Sequence, residues 1–340
     1  MGLQAAPIRA MFTTIQKMRH FTSSAFGTST NYYDTLLLME ILNGILQGNC
    51  FGPGTWAAVS TPLLDMLRGE GFGMQLQSPL SNERLHIAGF SFVDDTDVVQ
   101  TSTHSESRDD LIKNTQKSIN LWEGGLRTTG GALVPSKSDW TLVDFEVKNG
   151  EWKYTPRNDT EKLSVLDSKR GRYNLKQLDI STGRLTLGVY IAGDGNWKDE
   201  IKYLTKMSQD WAEKVRVGQI HRKDAWMAFR LTIRKSLDYC LQATYLTRKD
   251  LQKIHSAALC RGLSSSGIIR SLDRTICYAP FKYQGLGLHD PYIRQGVEHI
   301  KFIMQQAESP SISGKLLRFT VEGTKLETGL PGNLFHHDFN

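Results

Sequence analysis

Asp94 and Asp95 stand side by side in the stretch Ile87-Ala88-Gly89-Phe90-Ser91-Phe92-Val93-Asp94-Asp95-Thr96-Asp97-Val98-Val99-Gln100. A short apolar run leads into the acids and another leads away. Each is too short for a helix and rich in Phe and Val, so the stretch predicts two strands joined by a sharp turn at the acids. Such a turn holds two carboxylates together without burying them. Adjacent carboxylates repel, and a divalent cation, which prefers hard oxygen ligands, relieves that repulsion. Asp94 and Asp95 are therefore candidate ligands for Mg²⁺ or Mn²⁺; an acidic turn solvated by water is the other reading. An EF-hand is excluded, because Asp95-Thr96-Asp97 lacks the following Gly and closing Glu.

Two further stretches combine flexible backbone with functional side chains. In Gly44-Ile45-Leu46-Gln47-Gly48-Asn49-Cys50-Phe51-Gly52-Pro53-Gly54-Thr55-Trp56, the glycines let backbone approach a ligand closely, and the Gln47 amide both donates and accepts. Thr55 is the expected N-cap of a helix through Trp56, Leu63 and Leu67, with Pro62 expected to kink it or shift its start. The second stretch is Thr128-Thr129-Gly130-Gly131-Ala132-Leu133-Val134-Pro135-Ser136-Lys137-Ser138-Asp139-Trp140. It follows a helix predicted from about Ser107 to Trp122, with Thr103 and Glu106 spaced as a capping box. Lys137 then precedes a strand.

Together, Phe92-Val93-Asp94-Asp95, the Gln47-Gly48 loop and the Gly-Gly…Lys stretch resemble, in their order, the palm of reverse transcriptases, nearest to the non-LTR retrotransposon kind. The resemblance implies an α+β fold: a partial polymerase palm of antiparallel strands and helices with a catalytic hairpin, then a helical thumb-like domain. It implies template-directed DNA synthesis from an RNA template by two-metal nucleotidyl transfer, with Asp94 and Asp95 as catalytic and metal residues. Lys137 would approach the nucleotide's phosphates and act as general acid on the leaving pyrophosphate; a solvated strand-edge lysine is the plain reading. Gln47, Gly48 and Pro53 would lie beneath the template and incoming nucleotide. RNA template, primer–template duplex and dNTP are the implied partners. The family's first metal-binding Asp, on an upstream strand, finds no match: Asp34 falls inside a predicted helix before Gln47, and Asp65 within the helix after it. The expectation is a palm and thumb portion without the fingers and first catalytic Asp, impaired in activity and a partner for the missing polymerase segment. The alternative is a non-catalytic nucleic-acid-binding remnant of a retrotransposon polyprotein.

The positioning elements follow from periodicity. Residues 1–40 read as helical, on Ile8, Met11, Ile15 and Met18, a Ser/Thr/Gly-rich connector and a second apolar stretch from Tyr32 to Leu42. Residues 140–147 and 151–154 read as strands joined at Asn149-Gly150, a strong hairpin signal. Residues 156–174 read as a surface loop. Leu185 to Ile191 reads as a buried strand, similar to the Leu-Gly strand that steadies the primer's end in non-LTR reverse transcriptases. Helices are predicted near 198–216, 221–239, 247–261 and 291–307, with Thr247 and Asp250 marking a start and Gly285 to Leu288 a strand or turn. Arg222, Lys223, Arg230, Arg234 and Lys235 mix with Trp226 and Phe229. Either they track a duplex backbone through phosphate contacts, as a thumb does, or they are solvated helix faces. The expected boundaries are 1–147 (palm), 148–196 (hairpin, loop and Leu-Gly strand), 197–308 (thumb-like) and 309–340 (tail).

Composition bounds the remainder. The 340 residues carry a net charge of +6 and a pI near 9.0, which suits a polyanionic partner. Cys50, Cys240, Cys260 and Cys277 form no C-x-x-C pair, so neither a zinc ribbon nor a disulfide framework is signalled and reduced thiols are predicted. No leader or bilayer-length apolar run is present, and Ala6 stands where a myristoylation signal needs Ser or Thr. The expectation is a soluble intracellular protein, nuclear or cytoplasmic, with no membrane partner. His336 and His337 diverge on a regular backbone and predict no metal site.

Overall fold

The computed structural model describes residues 20–24, 27–33, 51–92, 95–102, 106–158, 160–330 and 332. The fold is α+β, and every ladder among the described residues has two strands. The chain divides into two compact units: residues 1–75, 86–135 and 164–173 form one, and residues 76–85, 136–163 and 174–340 the other.

In the first unit, α1 (Phe51–Gly69) starts ahead of the expected cap at Thr55 and continues through Pro62. An interior proline costs about 3 kcal/mol. Burial of Leu63 and Leu67 on the same helix, at about 1.5–3 kcal/mol each, outweighs that cost. The second helix, α2 (Arg108–Thr128), is capped reciprocally by Ser107 and Asp110, one turn after the expected Glu106; Thr103 lies outside the described residues. It ends where Gly130 N–H reaches Arg127 O (3.0 Å) and Gly131 N–H reaches Leu126 O (3.1 Å), with Gly130 at φ 84°. That pattern is a Schellman motif, so the Gly-Gly pair has a full explanation as a helix terminator. At Gly125 a Cβ would lie 2.7 Å from Leu63 Cδ2, so glycine sets the close approach of α1 and α2. Leu63, Leu67, Ala88, Trp122 and Leu126 form the core between them.

Two expectations for this unit fail. Where residues 1–40 were read as helical, β1 (His20–Ser24) and β2 (Gly27–Tyr33) pair antiparallel, His20 opposite Tyr33. Thr and Tyr at these positions suit a pleated ladder better than a helix. The predicted helix around Ile8 to Met18 lies outside the described residues, as does Asp34. The predicted 156–174 loop holds β10 (Ser164–Leu166), paired with β11 (Arg172–Asn174) and ordered by α2: Gln116 exchanges both amide groups with the Ser164 backbone at 2.8 Å, and Glu123 accepts from Leu166 N–H at 3.1 Å.

The second unit begins with the tip of the hairpin made by β3 (Met74–Gln77) and β4 (Arg84–Ile87). The predicted strand 140–147 is broken: β7 (Asp139–Thr141) pairs in parallel with β12 (Lys176–Leu178), while β8 (Phe145–Lys148) turns into β9 (Glu151–Tyr154). Asn149 (φ 56°) and Gly150 (φ 78°) make the expected tight turn. Leu185 to Ile191 is not one buried strand. β13 (Arg184–Thr186) and β14 (Val189–Ile191) fold back at Leu187 (φ 50°) and Gly188 (φ 85°), leaving Leu185, Leu187 and Ile191 exposed. Leu187 is held there by Tyr239 Oη, which donates to its carbonyl at 2.9 Å. Buried Glu200 accepts from Tyr190 N–H at 2.8 Å and joins this hairpin to the helices.

Those helices are α3 (Lys198–Gly218), α4 (Arg222–Ala228), α5 (Arg234–Asp238), α6 (Arg248–Ser265), α7 (Arg274–Tyr278), α8 (Pro291–Gln306) and α9 (Ile312–Thr328). The predicted 221–239 helix is interrupted by a π-turn at Phe229–Ile233. Gly262 of α6 admits the Phe229 ring, since a Cβ there would lie 2.6 Å from Phe229 Cγ. Thr247 and Asp250 cap α6 as the sequence predicts. Leu204, Phe229, Ile233, Leu241, Ile254 and Leu263 lie in the buried core. The stretch read as a tail carries α9, whose Glu322 accepts from Ser78 Oγ and from Leu80 and Ser81 N–H at 3.1 Å. Cys240 and Cys277 are buried and unbridged, and Cys50 lies outside the described residues. No helix among the described residues is long and apolar enough to cross a membrane.

Candidate hairpin site and basic helices

The acidic stretch forms a hairpin, β5 (Gly89–Phe92) with β6 (Asp95–Val98), in the first unit. Its register pairs Phe92 with Asp95 and Phe90 with Asp97, while Ser91 faces Thr96 and Gly89 faces Val98. Alternation then gives the two faces different work. The inner face rests on α1: Trp56 Nε1 donates to Ser91 Oγ at 3.1 Å, and Ser91 Oγ shares a 3.1 Å hydrogen bond with Thr96 Oγ1. A Cβ on Gly89 would collide with Asp97 O, 2.5 Å away. The outer face carries Asp95 and Asp97 beside Phe90 and Phe92, which are 46% and 60% exposed. Asp94 lies outside the described residues. The one sequence signal for the Trp56–Ser91 bond is Trp56 itself, an indole donor near the start of the helix.

The loop residues Gln47 and Gly48 also lie outside the described residues, and Pro53 is described only as backbone near the start of α1. Lys137 ends a 3₁₀ turn (Pro135–Lys137) and is exposed, in the second unit. Asp65, the upstream acid considered as a stand-in metal ligand, pairs with Arg68 at 2.5 Å within α1.

The five basic residues of the second unit do not behave alike. Arg222 and Lys223 are exposed at the start of α4, and Lys235 is exposed on α5. Arg230 lies over the rings of Trp226 (5.9 Å) and Phe281 (5.4 Å), a cation–π arrangement that holds its guanidinium. Arg234 is turned inward. Its side chain is 12% exposed, donates to His289 O at 3.1 Å and faces Asp238 at 3.9 Å. Burial pushes Arg234 below the usual arginine range and Asp238 above the usual carboxylate range, each partly countered by the other's charge. A side chain committed in this way is not presented to a polyanion, so Arg234 leaves the candidate phosphate-binding set. The i,i+4 spacing of Arg234 and Asp238 was the sequence signal for it.

Carboxylate oxygens at Asp95 and Asp97 are of the right kind for Mg²⁺ or Mn²⁺. Among the described residues, no three or more His, Cys, Asp or Glu side chains converge as a metal cage. The donors thus suit a hard cation in chemistry. Binding of Mn²⁺ is expected to be on the order of millimolar, because magnesium-like ions held by few carboxylates keep their waters. Water-proton relaxation with Asp94→Asn and Asp95→Asn checks this; affinities equal to wild type would remove both acids from the site. Comparisons with family models, curated proteins and solved structures found no match for this chain.

Proposed function

We propose that this chain is a reverse-transcriptase-like protein that binds a primer–template duplex through its basic helices and carries, at the β5–β6 hairpin, part of the carboxylate set for nucleotidyl transfer. The observation that carries the reading is the seating of the hairpin on α1. The helix that carries Gly52, Pro53 and Gly54 in its first turn holds the acidic hairpin through Trp56 and Ser91, so this helix and the hairpin pack within one unit. Asp94 and Asp95 would hold a hard divalent cation, which when bound supplies charge neutralisation at a triphosphate and lowers the pKa of a primer hydroxyl. The outer-face phenylalanines offer apolar surface beside the acids. Gln47 and Gly48 would position the incoming nucleotide, as the resemblance implies.

Primer extension on an RNA template tests the reading. The 340-residue chain offers Asp94 and Asp95 without the family's first strand-borne Asp, so by itself it is expected to give no detectable extension. Extension is expected when a polymerase segment bearing that strand is supplied, and Asp94→Ala should abolish it. Failure of the supplemented mixture, with both parts folded, would count against catalysis. Duplex binding that persists in that case would leave the non-catalytic binding protein as the surviving function.

A further inference from the structure

A cavity of about 440 Å³ lies inside the helical unit, walled by α6, α7 and the first turn of α8. The sequence did not single it out, because its residues come from three separate helices. The one signal was a histidine on the apolar face of α6. His255 lines this cavity with 8% of its surface exposed; its Nε2 is enclosed by protein, so it is the rest of the ring that is open to the cavity. Burial pushes its pKa down to about 4, so the ring is neutral near pH 7 and presents one donor and one acceptor nitrogen.

The charges around the cavity point the same way. Among the described residues, Arg274 donates hydrogen bonds only to Cys277 Sγ and Cys260 Sγ, both at 3.9 Å. Thiols are weak acceptors, so most of the guanidinium's donor capacity stays available for a stronger one. Arg248 lies 3.6 Å from Asp290 Oδ2 and over the Tyr292 ring at 4.7 Å. The other oxygen of Asp290 caps α8, accepting from Tyr292 N–H at 2.8 Å. Two guanidinium groups against one carboxylate leave the lining positive. Its volume falls in the range of small-ligand sites, about 300–1,000 Å³.

We propose that this cavity binds a heteroaromatic anion of mononucleotide size, with its ring hydrogen-bonded to His255 among apolar side chains and its phosphate on Arg274 and Arg248. The site is independent of the acidic hairpin, none of whose residues lines it.

Calorimetric titration of the full chain with AMP and UMP, beside adenosine and inorganic phosphate, tests this. At least one monophosphate is expected to bind more tightly than both its nucleoside and inorganic phosphate, and to raise the melting temperature. Arg274→Gln, an exposed change, should weaken that binding by about tenfold or more, the value of a charged bidentate contact. His255→Phe should reduce the monophosphate to the affinity of inorganic phosphate while Arg274 still holds it. No saturable monophosphate binding, or binding indifferent to Arg274→Gln in a folded sample, overturns the proposal. Inorganic phosphate binding as tightly as the monophosphates overturns the ring assignment. If His255→Phe does not fold, the Arg274→Gln titration still decides.

Discussion

Replacing His255 by Gln is expected to remove an acid-sensitive loss of stability of about 3 kcal/mol, the difference between an ordinary histidine and one at about 4. Above pH 6.5 the ring is neutral folded or unfolded and contributes nothing to the pH dependence. As pH falls below 6.5 the unfolded chain takes up a proton that the buried ring resists, so the folded state loses ground until the folded pKa is passed. The cause is first desolvation and then the positive Arg234, with Asp290 acting in the opposite sense. Arg248, Arg274 and Tyr278 also line the same cavity. Glu200 and Asp238, both pushed up by burial, work against this trend, since they favour the folded state as they protonate. They are common to both proteins and cancel in the comparison. Urea unfolding of wild type and His255→Gln at pH 7, 5 and 4 should give curves that converge in acid relative to neutral pH. Parallel stabilities across that range would mean that the ring is solvated or already paired.

Local chemistry was the part of this fold most legible in the sequence. Asn149-Gly150 specifies its turn because both positions need positive φ, and Thr247 with Asp250 specifies a helix start by reciprocal hydrogen bonds. What failed needed partners distant in the chain. Leu187 adopts φ 50°, unfavourable for a side chain with a Cβ, and Tyr239 holds it there from 52 positions away. Apolar Leu185 to Ile191 therefore looked like one strand and is two. The loop around Ser164 contains a strand because Gln116 and Glu123 satisfy its backbone, and nothing in the loop's own composition records that. In the candidate site, the hairpin was legible from two short runs rich in Phe and Val on either side of the acids; its register was not, since Asp95 falls inside β6 opposite Phe92 and not at the turn. Which of the basic residues face outward was not, since a charge's direction depends on the acids and rings folded around it, as Arg230 and Arg234 demonstrate.

That distinction sharpens the expectation for nucleic acid. If the basic helices grip a duplex, binding should show little sequence preference, because phosphate contacts carry no base information. The log–log salt slope should be near −0.9 for each phosphate neutralised. Arg222, Lys223 and Lys235 are exposed, and changing all three to Gln should flatten the slope by up to about 2.7. Near 0.1 M salt that corresponds to a loss of affinity on the order of several hundredfold. Arg234→Gln should behave differently. It leaves Asp238 without its ion-pair partner and so lowers stability, while the slope stays unchanged because the guanidinium already points inward. Asp94→Asn with Asp95→Asn should not weaken binding, since removing negative charge eases the approach of a polyanion. Anisotropy of a labelled primer–template duplex, read at several salt concentrations with unfolding curves for each variant, separates these effects. No binding at low salt by a folded sample, or a slope untouched by the triple change, would remove the basic helices from the proposed function.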